Sequence, residues 1–355
     1  MTTTPLLNVA GLVKHFPITG GFPIRRTVGA VQAVDGLDFT VAEGESLGLV
    51  GESGCGKSTT GRLITRLLEP SGGRITYRGQ DITHASRKRL APVRPEIQMI
   101  FQDPYASLNP RQTVGRIIAG PMEINGIDPP GGRERRVREL LDTVGLNPEH
   151  YNRFPHEFSG GQRQRIGVAR ALALRPKLIV ADEPVSALDV SIQAQVVNLL
   201  QQLQRELGIA FVFIAHDLAV VRHFSQRVAV MYLGRIVEIA DRDELYGAPR
   251  HPYTRALLSA VPATTLPDDT APPPARIRLK GEVPSPVHPP SGCRFRTRCW
   301  KATDHCATTT PPLVRPEGSR EGHLTACHYP EPLPPSRTGP PAPVRVPAAP
   351  RPSSS

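Results

Sequence analysis

The stretch GESGCGKS at residues 51–58 constrains the fold of this 355-residue chain more than any other feature. It has the phosphate-binding pattern G-x-x-x-x-G-K-S/T. An apolar run at residues 46–50 predicts a buried strand before it, and residues 57–68 are predicted to form a helix after it. Glycines let the backbone N–H groups point into one small volume, and the helix N-terminus adds partial positive charge there. The stretch therefore predicts a site for ATP or GTP.

The loop pattern also predicts a role for individual side chains. Lys57 is expected to reach the β- and γ-phosphates, and the Ser58 hydroxyl is expected to bind Mg²⁺. Cys55 is expected to act as a small residue that offers a backbone N–H. Phe16, upstream at the end of a predicted strand, is either a ring that stacks on the base or an ordinary core residue. The expected nucleotide-binding residues of the loop are Gly51, Glu52, Ser53, Gly54, Cys55, Gly56, Lys57, Ser58 and Thr59.

Strand and helix signals alternate along the chain, which predicts an α/β fold with a mainly parallel sheet. An N-terminal antiparallel β layer is expected first, with a loop at residues 17–27 between two of its strands. A helical insertion is expected at residues 108–175. Further predicted strands cover residues 7–13, 31–41, 74–78, 96–101, 177–181, 210–215 and 227–230, and predicted helices cover residues 113–125, 133–144, 162–174 and 191–207. The last helix should bury one face, formed by Ile192, Val196, Leu200, Leu203 and Leu207.

Polar side chains follow several of the predicted strands, where ligands of parallel sheets bind. Asp182 and Glu183 end one strand, so Asp182 is expected to hold Mg²⁺ and Glu183 to polarise the attacking water. His216 ends another strand and could orient that water beside the γ-phosphate. Gln102 follows a third strand, and its amide could reach the metal or the water. Each assignment is ambiguous alone, but together with the loop they predict one phosphate site.

A second anion-binding element opens a predicted helix within the helical insertion. Its residues are Ser159, Gly160, Gly161 and Gln162. Ser159 is expected to cap the helix, and the glycines let an anion approach its N-terminus. Because this element is remote in sequence from the phosphate loop, we expect a head-to-tail dimer in which each copy of the element closes on the partner's ATP.

The order of these motifs resembles that of ABC-transporter nucleotide-binding subunits. Phe16 corresponds to the aromatic A-loop, Gln102 to the Q-loop, and residues 159–162 to the signature motif. Asp182 and Glu183 correspond to Walker B, His216 to the H-loop, and the stretch SALD ending at Asp189 to the D-loop. The stretches FQDPYASLNP, HPYTRALL and GCRFRTRC are similar to the oligopeptide/dipeptide importer branch of that family. The resemblance implies an ABC ATPase fold that covers residues 5 to about 330.

The resemblance also implies a mechanism and a set of partners. Two ATPase subunits, this chain and a paralogue, would enclose ATP and move two membrane-spanning permease subunits, which are fed by an extracytoplasmic substrate-binding protein. Glu183 would be the general base, His216 would orient the γ-phosphate, and Gln102, with Ser58 and Asp182, would bind Mg²⁺. The chain contains no apolar run of membrane-spanning length and no signal-peptide pattern, so we expect it at the cytoplasmic face of the membrane.

The sequence predicts a second, smaller domain in the C-terminal part of the chain. We expect an ABC nucleotide-binding domain at residues 5–260, a cysteine-containing domain at residues 261–330 and a disordered Pro-rich tail at residues 331–355. Four cysteines of the second unit suggest Zn²⁺ or an iron–sulfur cluster rather than disulfides, namely Cys293, Cys299, Cys306 and Cys327. Members of the resembled family carry the same cysteine-bearing tail domain, and some hold a [4Fe-4S] cluster there. Free thiols are the alternative.

The alternatives to a peptide importer are nucleic-acid binding, a soluble ABC ATPase, an exporter and an importer of another cargo. The net charge of +11 suggests nucleic acid, but the basic residues are scattered and no Lys/Arg stripe with interleaved aromatics occurs. A soluble ABC ATPase acting on DNA or ribosomes would need long coiled coils or a second phosphate loop, and an exporter half would need a fused or separate membrane domain. Within the importer branch, a non-peptide cargo such as nickel remains open, because the ATPase subunit does not touch the cargo.

Overall fold

The computed structural model describes residues 4–20, 26–261 and 276–333 of the chain. Strands and helices alternate through most of this length, as the sequence predicts. The strands are β1 Leu7–Gly20, β2 Arg26–Val41, β3 Ser46–Val50, β4 Gly72–Tyr77, β5 Gln80–Asp81, β6 Ile97–Ile100, β7 Leu178–Asp182, β8 Ala210–Ala215, β9 Arg227–Tyr232, β10 Arg235–Asp241 and β11 Leu324–Thr325. The α-helices are α1 Lys57–Ile64, α2 Arg87–Leu90, α3 Pro104–Ser107, α4 Val114–Ile124, α5 Gly132–Thr143, α6 Gly160–Leu172, α7 Val190–Leu207, α8 Leu218–Phe224, α9 Arg242–Gly247, α10 Pro252–Ser259 and α11 Asp304–Thr308.

The larger sheet has the order β11-β10-β9-β3-β8-β7-β6. The pairs from β9 through β3, β8 and β7 to β6 are parallel, whereas β10 and β11 extend one edge in antiparallel fashion. Every residue of β3, β7 and β8 is buried. Alternate residues enter two different cores, so that Ile179 and Ala181 join one while Leu178 and Val180 join the other. A parallel sheet covered on both faces requires such continuous apolar strands.

The smaller sheet is antiparallel, with the order β2-β1-β4-β5. Its hairpin is longer than predicted, because Pro17 pairs with Ala30 and Ile18 with Gly29. The prediction of a loop at residues 17–27 was therefore wrong at both ends, while residues 21–25 lie outside the described part of the chain. The tertiary pairing of β1 and β2 overrides the local Pro and Gly signals.

The helical insertion consists of α3 to α6 and two short 3₁₀ segments, and its main helices begin and end close to their predicted positions. The Thr113 side chain caps α4 by accepting a hydrogen bond from the Arg116 backbone N–H. In α7, Val196, Leu200 and Leu203 are buried as predicted. Leu207 is 53% exposed, so its assignment to the buried face was wrong. It lies in the last turn, where the chain leaves the helix at Gly208.

The C-terminal region is joined to the larger sheet. β11 pairs with β10, placing Thr325 opposite Glu238. Glu331, expected in the disordered tail, is instead buried and forms ion pairs with Arg255 and Lys301. The remainder of that expected tail from residue 334, and the segment 262–275, lie outside the described residues. Among the described helices, none combines the length and apolar character that crossing a membrane requires.

Candidate functional site

The loop between β3 and α1 is pressed tightly against its neighbours. A Cβ on Gly51 would lie 2.1 Å from the Met231 carbonyl oxygen, and one on Gly56 would lie 2.0 Å from the Ala33 carbonyl oxygen. Gly56 also has a φ of 105°, a conformation that L side chains rarely adopt. Glycine is therefore required at both ends of the loop. This close packing holds the backbone in the curled form that the sequence predicts.

Lys57 is the first residue of α1, directly after the loop, and is only 4% exposed. Its Nζ donates to the Gly51 carbonyl at 2.8 Å and to the Glu52 carbonyl at 3.1 Å. The Lys57 ammonium also lies 3.9 Å from Cys55 Sγ, which is a weak acceptor. Cys55 is buried, and burial raises the pKa of its thiol. The loop thus offers a fixed positive charge beside a buried, neutral small side chain.

Ser58 and Asp182 connect the loop with the end of β7. The Ser58 hydroxyl donates to Asp182 Oδ1 at 2.7 Å, although the two residues are far apart in sequence. Asp182 is 2% exposed. Burial raises the pKa of the Asp182 carboxyl, while the hydrogen bond from Ser58 opposes that rise. A hydroxyl and a buried carboxylate side by side are oxygen ligands of the kind that Mg²⁺ prefers.

Three more predicted residues meet at the ends of β6, β7 and β8. Gln102 Nε2 donates to Glu183 Oε2 at 3.1 Å, and His216 Nδ1 lies 3.3 Å from the same oxygen. These strands are neighbours in the parallel sheet, so their carboxyl ends lie at one edge. The structure therefore brings together Gln102, Glu183 and His216, which are separated by long stretches of sequence.

Glu183 has an unusual backbone. Its φ of 44° lies in the left-handed region, which costs energy for a residue other than glycine. The conformation is held by its backbone N–H, which donates to the Ile214 carbonyl at 2.9 Å. Its carbonyl accepts from the backbone N–H and the hydroxyl of Ser186. The Glu183 side chain is only 15% exposed, whereas that of His216 is 58% exposed.

The predicted signature residues form the start of α6. Ser159 and Gln162 make a capping box, with the Ser159 N–H donating to Gln162 Oε1 at 3.0 Å and Ser159 Oγ accepting from the Gln162 N–H. A Cβ on Gly161 would lie 2.4 Å from Ile192 in α7, so the helix start packs closely on the segment after the D-loop. Asp189 stands at the N-terminus of α7, and its backbone carbonyl accepts from Gln193.

Phe16 lies within β1 rather than at the end of a strand. It pairs with Val31 of β2, and Lys14 Nζ lies 5.1 Å from the centroid of its ring. The ring is half-buried in the N-terminal sheet. Its position is compatible with both interpretations made from the sequence, so base stacking stays a prediction.

The metal site predicted for the four C-terminal cysteines is not supported. Cys293, Cys299, Cys306 and Cys327 line one small cavity together with Phe295. Within residues 4–20, 26–261 and 276–333, however, no three His, Cys, Asp or Glu side chains are grouped so that they could hold a metal ion. All four cysteines are unpaired. Burial raises the pKa of the Cys327 thiol to about 12.

Two residues beside the loop were missed by the sequence analysis. The Tyr253 hydroxyl accepts a hydrogen bond from the Glu52 backbone N–H at 3.0 Å. Arg298 forms an ion pair with the Glu52 carboxylate. Tyr253 lies in the stretch HPYTRALL and Arg298 in the stretch GCRFRTRC, both of which indicate the family but no contact with the loop. The residues around Tyr253 and Arg298 give no indication that either side chain contacts a loop some 200 residues earlier in the chain.

The geometry is that of a P-loop nucleotide-hydrolysing site: a curled loop followed by a buried lysine, a serine bonded to a buried aspartate, and a glutamate flanked by glutamine and histidine. Comparisons with known proteins identify the family within this class. A family model described as "ABC transporter" matches residues 34–186, and one described as "Oligopeptide/dipeptide transporter, C-terminal region" matches residues 237–306.

Curated relatives and solved structures agree. The oligopeptide transport ATP-binding protein AppF of Bacillus subtilis (strain 168) is 53% identical over 324 residues, covering 91% of this chain and 97% of AppF. The ATP-binding cassette MJ0796, solved as a dimer in a post-hydrolysis state bound to ADP and Pi, is 28% identical with a TM-score of 0.59, covering 66% of this chain and 98% of that one. The cbiO1 structure from Clostridium perfringens is 27% identical with a TM-score of 0.58, covering 69% of this chain and 91% of that one. The chain belongs to the ATP-binding subunits of ABC transporters, in the oligopeptide/dipeptide family, and is an ABC-type ATPase.

Proposed function

We propose that this chain is the ATP-hydrolysing subunit that powers a membrane importer for peptides. The observation that carries the proposal is the grouping of Gln102, Glu183 and His216 beside the Ser58–Asp182 pair. Its family, and the oligopeptide transport assigned to AppF by its name, support peptides as the cargo. The same family membership favours an importer over an ABC ATPase that acts on nucleic acid or ribosomes.

Each group at the site then has a role in hydrolysis. The loop N–H groups and Lys57 bind the ATP phosphates, while Ser58, Asp182 and Gln102 hold Mg²⁺. When bound, that ion would supply positive charge that offsets the negative charge developing on the phosphates. Glu183 accepts the proton of the attacking water, and His216 holds the water and γ-phosphate in line. Phe16 stacks on the base.

A second ATPase subunit, most simply a paralogue, completes the site. Its signature residues would contact the ATP bound to this chain, and Ser159, Gly160, Gly161 and Gln162 here would contact the partner's ATP. Asp189 would lie at the same interface. The capped N-terminus of α6 supports this role, because helix N-termini attract phosphate.

The complete transporter would contain two membrane-spanning permease subunits and would receive cargo from an extracytoplasmic substrate-binding protein. The chain would lie at the cytoplasmic face of the membrane as a peripheral subunit. ATP binding would close the ATPase dimer, and hydrolysis would reopen it by removing the γ-phosphate contacts.

The chain is also proposed to consist of two domains. We propose an ABC nucleotide-binding domain at residues 5–260, with its helical part at residues 108–175, followed by a C-terminal unit from residue 261. The burial of Glu331 supports an extension of that unit beyond residue 330. The pairing of β11 with β10 supports a C-terminal unit that packs on the nucleotide-binding domain and extends its sheet.

The test is transport by the complete complex. Proteoliposomes would contain the chain, its paralogue and both permeases. ATP and Mg²⁺ would be supplied on the side of the membrane that carries the ATPase subunits, and the binding protein on the other side. Uptake of labelled oligopeptides that depends on ATP, and that stops in a Glu183→Gln complex, is expected. Uptake of nickel without peptide would replace the cargo assignment, and absence of Mg²⁺-dependent phosphate release would contradict the proposed function as a whole.

A further inference from the structure

Glu52, at a variable position of the phosphate loop, is held by a side chain from the C-terminal region. Arg298 Nη1 donates to Glu52 Oε2 at 2.7 Å, and Arg298 Nη2 donates to Glu52 Oε1 at 3.1 Å. The pair is therefore bidentate, which is the most directional form of an arginine–carboxylate contact. The Arg298 side chain is 8% exposed and that of Glu52 is 26% exposed, so water screens the pair only in part.

The backbone of Glu52 is held as firmly as its side chain. Its N–H donates to the Tyr253 hydroxyl at 3.0 Å. Its carbonyl accepts from Lys57 Nζ at 3.1 Å and from the Cys55 N–H at 3.3 Å. The lysine that is expected to bind phosphate and the arginine from the C-terminal region therefore meet at one loop residue.

Arg298 is itself held in place by neighbours in its own segment. Phe295 is 1% exposed, and its ring lies 5.3 Å from the rings of both Tyr232 and Tyr253. The Arg298 N–H donates to the Phe295 carbonyl at 3.0 Å. Arg294, 7% exposed, pairs with Asp35 of β2 at 2.5 Å. Residues 294–298 are thus anchored on the core at two points, through Arg294 and through Phe295.

The charge of Glu52 explains why such an anchor matters. An unpaired carboxylate within a phosphate-binding loop would repel a triphosphate bound there. A bidentate arginine neutralises the carboxylate and fixes its direction at the same time.

We propose that Arg298 is a positioning residue of the nucleotide site: through Glu52 it neutralises and orders the phosphate loop, so that the C-terminal segment sets the affinity of the core for ATP. This inference rests on the proposed ATPase function. The Arg298 side chain bonds to Glu52, and its proposed effect on the phosphate site is exerted through that residue.

The experiment measures equilibrium binding of a fluorescent ATP analogue to the full-length chain, together with KM and kcat for ATP in the reconstituted complex. Arg298→Ala is expected to weaken binding about tenfold, as the loss of a partly exposed charge-assisted pair predicts, and to raise KM more than it lowers kcat. Arg298→Lys keeps the charge without the two-pronged geometry, so an intermediate loss is expected.

The decisive variant is the double substitution Arg298→Ala with Glu52→Gln. It removes the uncompensated carboxylate, so binding should recover to within about threefold of the wild-type protein, an effect that a merely structural arginine would not show. Arg296→Ala is the matched control, because Arg296 lies two residues away and bonds to Ser291 of its own segment. That variant should bind ATP normally.

The outcomes separate this inference from the proposed function. If the wild-type protein does not bind ATP, the proposed function fails. If the wild-type protein binds ATP and folded Arg298→Ala binds it equally well, the inference is overturned. Should Arg298→Ala fail to fold in a thermal melt, Arg298→Lys decides, and unchanged affinity in that variant overturns the inference. Failure of Glu52→Gln to restore binding in folded Arg298→Ala overturns it as well.

Discussion

At the scale of single residues, the site is organised around hydrogen bonds that cross long distances in sequence. Glu183 illustrates this, because one of its oxygens is shared by Gln102 and His216 while its backbone is held in a strained conformation. Strain at such a position is maintained only when the surroundings over-determine it. The contacts with Ile214 and Ser186 supply that support.

The first prediction concerns Glu183→Gln. The amide keeps the size and the contacts of the side chain but cannot accept the proton of the attacking water. ATP turnover should fall about 10²- to 10⁴-fold while ATP binding persists. Phosphate release and nucleotide binding measure the two effects, and ATP-dependent dimers should become easier to detect by sedimentation. Near-normal turnover would show that another group is the base.

The second prediction concerns the Ser58–Asp182 pair. Ser58→Ala removes the hydroxyl that donates to the buried carboxylate. A hydrogen bond to a charged group contributes about 1.5–3 kcal/mol, so the apparent Mg²⁺ affinity in the ATPase assay should fall about 10- to 100-fold. Ser58→Thr retains the hydroxyl and is the matched control. An unchanged Mg²⁺ titration in Ser58→Ala would contradict this assignment.

At the scale of elements, local sequence signals predicted helices better than they predicted the ends of strands. The starts of α4 and α6 follow from side-chain caps, and the extent of all three helices α4, α5 and α6 follows from apolar periodicity, which are properties of neighbouring residues. The β1–β2 hairpin runs several residues beyond its prediction, since pairing between strands stabilises residues 17–20 despite a proline. The prediction that Leu207 is buried was wrong, because apolar periodicity identifies one face of a helix but does not show how far along the helix that face is covered.

The third prediction belongs to α6. Ser159→Ala removes the side chain that accepts from the Gln162 N–H and should lower the free energy of unfolding by about 1 kcal/mol. Thr113→Ala removes the equivalent cap of α4 and should cost a similar amount. Only the Ser159 variant should also weaken ATP-dependent dimerisation, as measured by light scattering. Equal effects of both variants on dimerisation would remove the proposed role of α6 at the interface.

At the scale of the whole molecule, the C-terminal region is integrated with the ATPase core through buried polar contacts. Glu238, fully buried in β10, accepts from the N–H groups of Arg250 and His251 and lies 2.7 Å from His323 Nε2. A buried carboxylate needs such partners, because its desolvation is costly. The junction therefore depends on residues from both parts of the chain.

The fourth prediction is a pH dependence of stability at this junction. Burial lowers the pKa of His251 from 6.5 to about 4, although Glu238 and Glu331 act in the opposite direction. The unfolded chain takes up a proton near pH 6.5 and the folded chain does not, so stability should fall as the pH drops from about 6.5 to about 4, by about 3 kcal/mol in total.

His251→Asn tests that prediction in urea melts at several pH values. Asparagine can still accept the hydrogen bond that His251 Nδ1 receives from the Tyr253 N–H, so the cap of α10 is kept. Its stability should depend less on pH over this interval. The control is His84→Asn, because the side chain of His84 is 60% exposed. An identical pH profile for the wild-type protein and His251→Asn would rule out His251 as the titrating group.

The sequence alone determined the parts that depend on short-range chemistry: the phosphate loop, the buried strands before Ser58 and Asp182, the cap of α6, and the order of motifs that indicates the family. Only the tertiary structure decided which of these meet, because strand order places β6, β7 and β8 side by side and gathers Gln102, Glu183 and His216. It also showed that the four C-terminal cysteines share one cavity without the arrangement a metal needs. The contact of Arg298 with Glu52 could not be predicted, because an ion pair depends on where two distant backbones bring their side chains, and no local pattern encodes that distance.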